Sequence, residues 1–157
     1  MLCIMKRAAN RSQCPINFTT EIFGDTWSML IYRDMAALGK KTFGEFMESD
    51  EKIGPSVLSE RLAHLEKAGI IQKSQDEKDK RKAIYTLTET GIKAVPILYE
   101  VAVWGSHTSP HPVAHSTWFE SMKFDKDKVI NAWIIALKAG DSYFIGEKSV
   151  IRQLGLV

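Results

Sequence analysis

Cysteine and long hydrophobic runs are both scarce in this chain of 157 residues. Its two cysteines are too few for a disulfide framework. The apolar run at 95–104 is interrupted by Glu100 and is too short to cross a bilayer. Lys6 and Arg7 end the apolar start of the chain far short of a signal-peptide core. We therefore expect a cytoplasmic protein with reduced thiols and no membrane partner.

A large excess of charge is also missing, because 21 basic residues face 19 acidic ones and the formal net charge is +2. DNA binding would therefore depend on where the charge lies. The sequence has no glycine loop that would cradle phosphate, and no readable set of nucleophile, base and orienting group. A composition with 45% hydrophobic and 25% charged residues is typical of one soluble globular domain. We expect a protein that is not an enzyme and binds no cofactor.

The stretch from Gly54 to Gly91 carries the most informative pattern. An amphipathic helix is predicted at 55–68 and ends at Gly69, and short strands at 70–71 and 83–87 flank a charged tip. A helix followed at once by a hairpin with a basic tip is typical of a winged helix-turn-helix. In that fold one element enters the major groove and the other follows the backbone. The predicted fold class is mainly α with a small β-hairpin, an α+β arrangement.

Proline, glycine and capping residues predict the helix boundaries on both sides of this stretch. A first helix is expected at 15–23, ended by Gly24, and Asp25 is the expected N-cap of the next helix. A long helix is expected at 88–104, with a kink at Pro96. The predicted order is helix, helix, short helix, helix, strand, strand, helix.

The chain divides into three expected segments: a flexible basic arm at 1–13, a DNA-binding and dimerisation domain at 14–107, and a C-terminal helical extension at 108–157. The start of the extension is a linker by composition, with Pro110 and Pro112. Its aromatic residues supply enough apolar surface to dock on the rest of the chain. They are Trp118, Phe119, Trp133, Tyr143 and Phe144.

Helical spacing predicts which face of the 55–68 helix reaches DNA. Leu58, Leu62 and Leu65 recur on one face and are expected to be buried. The candidate DNA contacts on the other face and its flanks are Ser56, Ser59, Glu60, His64 and Lys67. The serines are short donors and acceptors near the N-terminal end, which approaches base edges. A carboxylate at position 60 repels phosphate, although it can accept from a cytosine amino group. The alternative is an ordinary solvated helix face.

The wing tip is the expected source of phosphate affinity. Its candidate DNA contacts are Lys78, Lys80, Arg81 and Lys82. An arginine in such a tip favours a narrow minor groove. Asp76, Glu77 and Asp79 are expected to hold the tip in shape by pairing with its basic residues. The alternative is a hairpin that is charged only for solubility.

A set of short motifs follows in order over about residues 14–105: Cys14-Pro15, Gly24-Asp-Thr-Trp27, Leu30-Ile-Tyr-Arg-Asp34, Phe43-Gly-Glu-Phe46, Leu58-Ser-Glu-Arg-Leu62, Leu65-Glu-Lys-Ala-Gly-Ile-Ile71, Tyr85-Thr-Leu-Thr-Glu-Thr-Gly91 and Val103-Trp-Gly105. This ordered set resembles the HxlR family of bacterial winged-helix transcriptional regulators, and the wing is similar to that of the related MarR family. Two positions depart from the family, Thr26 in place of a common lysine and Glu60 in place of a neutral or basic residue. Both departures reduce positive charge toward DNA.

The resemblance implies a homodimer that binds a pseudo-palindromic operator and acts as a repressor or an activator. It also implies that the first and last helices of the domain form the dimer. The expected interface residues are Ile16, Phe18, Leu98, Val101, Ala102 and Trp104. The last helix is apolar around most of its circumference, which independently predicts burial on more than one side.

Cys14 precedes Pro15 at a predicted helix N-terminus, where the helix dipole favours a reactive thiolate. Some regulators of the HxlR type sense electrophiles or oxidants at this position, so the resemblance implies a small thiol-reactive effector. Cys3 is a candidate partner for an oxidised Cys14. The alternative is an inert, half-buried cysteine at a dimer contact.

Two further interpretations stand beside the leading one. The spacing of His107, His111 and His115 would put them on one face of a continuous helix and allow metal binding. Pro110 and Pro112 argue against such a helix, so we predict no metal site. The alternative function is a winged-helix protein-interaction module without DNA binding, which the low net charge favours.

Overall fold

The computed structural model describes residues 12–110 and 116–157. Its elements, in chain order, are α1 Pro15–Phe23, α2 Thr26–Ala36, α3 Phe43–Met47, α4 Pro55–Lys67, β1 Ile71–Gln75, β2 Ala83–Leu87, α5 Glu89–Ile92, α6 Val95–Thr108, α7 Ser116–Ser121, α8 Lys126–Lys138 and α9 Val150–Gln153. The mainly helical fold with one β-hairpin is confirmed. The basic residues of the predicted arm, Cys3, His111 and His115 lie outside the described residues.

Capping residues begin and end the first helices as the sequence predicts. Pro15 occupies the first turn of α1, where a missing N–H has no helical partner. The Asp25 carboxylate accepts hydrogen bonds from the backbone N–H groups of Trp27 (3.0 Å) and Ser28 (2.9 Å), so the predicted N-cap of α2 is confirmed. These local bonds fix the corner between α1 and α2.

The predicted long helix from 88 to about 104 is wrong in one respect, since two helices replace it. Thr88 caps α5 by accepting from the backbone N–H of Gly91 at 3.0 Å. The chain then leaves the helix, and α6 begins at Val95 with Pro96 in its first turn. A proline lacks the N–H that a continuous helix needs, but it is well suited to a helix start. Pro96 therefore begins a helix where a kink had been expected.

The hairpin forms the wing. Strands β1 and β2 pair antiparallel in a register from Ile71 opposite Leu87 to Gln75 opposite Ala83. Thr42 adds a bridge opposite Ile84, and the backbone N–H of Tyr85 donates to the carbonyl of Lys41 at 2.8 Å. These bonds anchor the wing to the segment that precedes α3.

Residues 116–157 pack into the same hydrophobic core as the winged helix. Trp133 is 1% exposed, and its Nε1–H donates to the Ala36 carbonyl at 2.8 Å. Trp118 donates from Nε1 to the Ser106 hydroxyl at 3.1 Å. The rings of Trp133 and Tyr143 meet at 4.7 Å between centroids. The extension is therefore docked on α2 and α6, while Phe119 stays exposed on its surface. Among the described residues, no helix has the length and apolar content needed to span a membrane.

Candidate DNA-binding interface

Helix α4 presents the predicted face to solvent. Leu58, Leu62 and Leu65 are buried in the core, which confirms the predicted inward face. The opposite face carries four exposed polar side chains. They are Ser56, Ser59, Glu60 and Lys67. The second helix of a helix-turn-helix lies in the major groove. Because one leucine stripe holds α4 in the core, its outward face is free for this contact.

Glu60 is paired within the chain. Its carboxylate accepts from Arg61 Nη2 at 2.6 Å, and Arg61 Nη1 lies 3.4 Å from the Asp25 carboxylate. The Arg61 side chain is 15% exposed, whereas that of Glu60 is 68% exposed. The guanidinium therefore offsets only part of an outward charge that repels phosphate, because it also pairs with Asp25. Arg61 was not predicted as a site residue, although its position directly after Glu60 was the available signal.

His64 faces α1. Its Nε2 lies 3.2 Å from the carbonyl oxygen of Ile22, and since a carbonyl only accepts, Nε2 is the donor. The ring is half-buried on the flank of α4. The structure thus places this expected DNA contact against the end of α1, because the flank of α4 is where the first helix packs.

The wing tip is held in shape by its own acidic residues. The Asp76 carboxylate accepts from the backbone N–H groups of Lys78 (2.7 Å) and Asp79 (3.0 Å). Asp79 accepts from the backbone N–H and the Nε of Arg81, both at 3.1 Å. The hydrogen bond from Arg81 lowers the pKa of the Asp79 carboxyl. The predicted pairing with a basic side chain is confirmed for Asp79 and Arg81, whereas Asp76 shapes the tip through backbone N–H groups.

The wing-tip cations face solvent. Arg81 has a side chain that is 93% exposed. The exposed cations of the tip are Lys78, Lys80, Arg81 and Lys82. The exposed lysines, and the guanidinium of Arg81 beyond its bond to Asp79, are available to phosphate.

A buried ion network supports the loop that leads into α4. Asp34 is 2% exposed and accepts from Arg33 Nε at 2.9 Å, from Lys40 Nζ at 3.0 Å and from the Ser49 hydroxyl. Arg33 also binds the Glu51 carboxylate, at 2.5 Å from Nη1 and 2.9 Å from Nη2. The hydrogen bonds from Arg33 lower the pKa of Glu51 to about 2 from an ordinary value of 4.5. Sequence reasoning missed this network.

Comparison with known proteins decides the family. The model of the HxlR-like helix-turn-helix family matches residues 22–112. The chain belongs to the HxlR-like family. The winged fold and the family predicted from the motifs are confirmed, and the members are transcriptional regulators rather than enzymes.

Individual relatives agree with this assignment. The HTH-type transcriptional regulator YybR of Bacillus subtilis is 32% identical over 61% of this chain and 76% of its own length. The crystal structure of PA1607 has a TM-score of 0.61 and 32% identity, over 68% of this chain and 73% of that one. The redox regulator HypR in its oxidised form has a TM-score of 0.56 and 28% identity, over 62% of this chain and 100% of that one.

This HxlR-type regulator exposes apolar side chains on the two helices expected to form a dimer. Ile16 and Phe18 on α1 are 72% and 53% exposed, and Val101 and Trp104 on α6 are 47% and 72% exposed. Two other expected interface residues lie differently. Leu98 is buried in the core of its own chain and Ala102 is half-buried, whereas Ile97 is exposed on the same helix.

Cys14 occupies the N-cap position of α1 and is exposed. Its carbonyl accepts from the backbone N–H of Phe18 at 3.1 Å, and its own N–H donates to the Ser12 hydroxyl at 3.2 Å. The thiol is therefore next to the positive end of a helix and open to solvent, as a reactive cysteine requires. Over residues 12–110 and 116–157, no group of three or more His, Cys, Asp or Glu side chains is arranged to hold a metal ion.

Proposed function

We propose that this regulator binds a pseudo-palindromic operator in double-stranded DNA as a homodimer and responds to thiol-reactive compounds through Cys14. The observation that carries the proposal is the wing tip, whose four cations are exposed while Asp76 binds its backbone and Asp79 binds both the backbone and the Nε of Arg81. Phosphate contacts supply sequence-independent affinity and fix the register of the protein on the duplex.

Helix α4 and the wing have different roles in DNA binding. The outward face of α4 offers short hydroxyls at Ser56 and Ser59, and the carboxylate of Glu60 is held by Arg61. Hydroxyls and a carboxylate at the N-terminal part of a groove helix can read base edges, and exposed lysine and arginine on a wing can bind phosphate. Discrimination between sequences therefore belongs mainly to α4, and affinity for any sequence belongs mainly to the wing.

Fluorescence anisotropy on a duplex from the upstream region of the regulator's own gene tests this division. Arg81→Ala should weaken binding to all duplexes and reduce the salt slope by about one unit per lost phosphate contact. Ser56→Ala should change the preferred sequence and leave the salt slope unchanged. Lys123→Ala, on the extension, is the matched control for loss of one exposed cation. Unchanged nonspecific affinity and salt slope in Arg81→Ala would contradict the proposed role of the wing.

The dimer would form through the exposed apolar side chains of α1 and α6. A two-fold dimer buries the same patch on both copies and places the two α4 helices about 34–36 Å apart, one turn of DNA. Trp104→Glu puts a charge in this patch and should shift the sedimentation coefficient from dimer to monomer. Ile135→Glu is the matched control, since Ile135 is an exposed apolar residue of α8, which lies in the extension. A parent protein that sediments as a monomer refutes the dimer.

The redox response is supported by the exposed N-cap position of Cys14 and by the likeness to the redox regulator HypR. Diamide accepts two electrons and two protons when the Cys14 thiol and a second cysteine thiol form a disulfide. Operator affinity should therefore change on diamide treatment in the parent protein and not in Cys14→Ser. Equal affinity before and after treatment in the parent would refute sensing and leave DNA binding intact.

A second candidate function is a protein-interaction module without DNA binding. It is favoured by the exposed carboxylate of Glu60 and by Thr26, which supplies no charge at the start of α2. Failure of the parent to bind any duplex at low salt would decide for this second function.

A further inference from the structure

Two side chains on one flank of α4 hold the corner between α1 and α2. His64 donates from Nε2 to the Ile22 carbonyl at 3.2 Å, in the last turn of α1. Arg61 lies one turn earlier on α4, and its Nη1 is 3.4 Å from the carboxylate of Asp25. Residues three apart share a helix flank. Both contacts therefore join the same two parts of the fold.

The groups that receive these contacts are themselves fixed. The Asp25 carboxylate also accepts from the Ser28 hydroxyl at 2.5 Å, besides its two backbone N–H donors. Burial alone would raise the pKa of Asp25, but the hydrogen bonds from Ser28 and Trp27 and the charge of Arg61 lower it. Asp25 therefore stays ionised as the partner of Arg61. Ile22 is 8% exposed, so the end of α1 is anchored in the core.

The other terminal nitrogen of Arg61, Nη2, reaches the DNA-facing side of α4. Nη2 binds Glu60 at 2.6 Å, and Glu60 is the carboxylate placed to meet a base edge. A planar guanidinium that binds two carboxylates restricts both. The ionic chain from Asp25 through Arg61 to Glu60 thus connects the interior corner with the outward face.

The helix that receives the His64 contact also carries the exposed Ile16 and Phe18 of the proposed dimer surface. In a two-fold dimer, the rotation of α4 relative to α1 fixes the separation of the two recognition helices. We propose that Arg61 and His64 are positioning residues that set the half-site spacing of the operator. This inference rests on the proposed function. The leucine stripe keeps α4 packed without the two contacts, and the contacts restrict its rotation and sliding.

A spacing series of duplexes tests the inference. Each inserted base pair moves one half-site by about 3.4 Å and rotates it by about 35° around the DNA. The half-sites come from a footprint on the upstream region, and the spacer is changed by one or two base pairs. Dissociation constants are measured at one salt concentration for the parent, Arg61→Ala, His64→Ala and the double variant. The parent should favour one spacing by at least about tenfold, which corresponds to about 1.4 kcal/mol.

The double variant should bind all spacings within about threefold, a spread of less than one kcal/mol, with the salt slope of the parent. A merely structural role would lower affinity equally at every spacing. His64→Gln should restore the preference, because an amide N–H can still donate to Ile22. Glu66→Ala is the control on α4, since Glu66 is exposed and lies outside the two contacts. It should keep the preference of the parent.

Asp25→Asn keeps the test decisive if the alanine variants do not fold. Asparagine is as good an N-cap as aspartate, so α2 keeps its start while Arg61 loses a charge partner. A weakened spacing preference in Asp25→Asn supports the inference. Retention of the full preference in Asp25→Asn and in every folded alanine variant overturns it, even though DNA binding stands. A parent that binds no duplex overturns the proposed function and this inference together.

Discussion

Replacement of Trp133 by alanine should destabilise the whole protein. Trp133 is 1% exposed, and truncation of a buried tryptophan costs about 3–5 kcal/mol. The lost hydrogen bond adds little, because the Ala36 carbonyl still accepts from the backbone N–H of Tyr143 at 3.1 Å and is not left without a donor. We therefore expect Trp133→Ala to lower the free energy of unfolding by about 3–5 kcal/mol. Trp133→Phe keeps an aromatic ring but leaves part of the space of the indole empty, so we expect the free energy of unfolding to fall by about 1–2 kcal/mol.

Equilibrium urea unfolding measures this effect. Far-UV circular dichroism and tryptophan fluorescence should give one coincident transition, because the extension and the winged helix share a core. Protein concentration must be equal for all variants, since dimerisation adds to apparent stability. Ile135→Ala is the control on the same helix. Its side chain is 52% exposed, and the variant should stay within about 0.5 kcal/mol of the parent.

Two results would refute the reasoning about Trp133. A loss below about 1 kcal/mol would mean that the indole does not hold the extension in place. A separate early transition that moves in Trp133→Ala, with the main transition unchanged, would mean that residues 116–157 unfold alone. Either result would remove the extension from the shared core.

Two further substitutions test other contacts by the same urea assay. A Cβ on Gly91 would lie 2.1 Å from the Ile70 carbonyl oxygen, so Gly91→Ala should cost about 1–3 kcal/mol. Gly44→Ala has no atom within 4 Å of the new Cβ and should be nearly neutral; equal losses would contradict the crowding argument. The folded pKa of Glu51 is about 2 against an ordinary 4.5, so its pairing with Arg33 stabilises above pH 4.5 and is lost as the pH falls toward 2. Glu51→Gln should therefore lose less stability than the parent between pH 5 and 2, and parallel pH curves would contradict this role.

Helix boundaries were predictable because their causes are local. Pro15, Gly24 and Asp25 each act on backbone groups within four residues, so a short window of sequence contains the whole argument. The break before α6 was harder to predict, since Pro96 is compatible with either a kink or a start. Packing of α5 against β2 and Tyr32 decided between them: the Tyr32 hydroxyl donates to the Gly91 carbonyl at 2.7 Å.

The inward face of α4 was predictable and its flanks were not. The period of the leucine stripe fixes which side is buried. Flank residues such as Arg61 and His64 depend on which distant element packs beside them, and Ile22 is 42 residues from His64 in sequence. The apolar content of the extension predicted that it docks. The hydrogen bond from Trp133 to Ala36 could not be predicted from the sequence, because the two residues are 97 positions apart and only the folded chain brings them together.

The low net charge of +2 is compatible with DNA binding once charge is counted by position. Salt dependence reports the number of phosphates that cations reach, at a slope of about −0.9 per phosphate on duplex DNA. Asp76 and Asp79 turn their carboxylates toward wing backbone N–H groups, so they reduce the net charge without taking the tip lysines away from phosphate. Glu60 shares Arg61 with Asp25, so these three groups keep one net negative charge beside α4. Affinity therefore follows the exposed wing cations, while the contacts of Arg61 and His64 govern where α4 meets the bases.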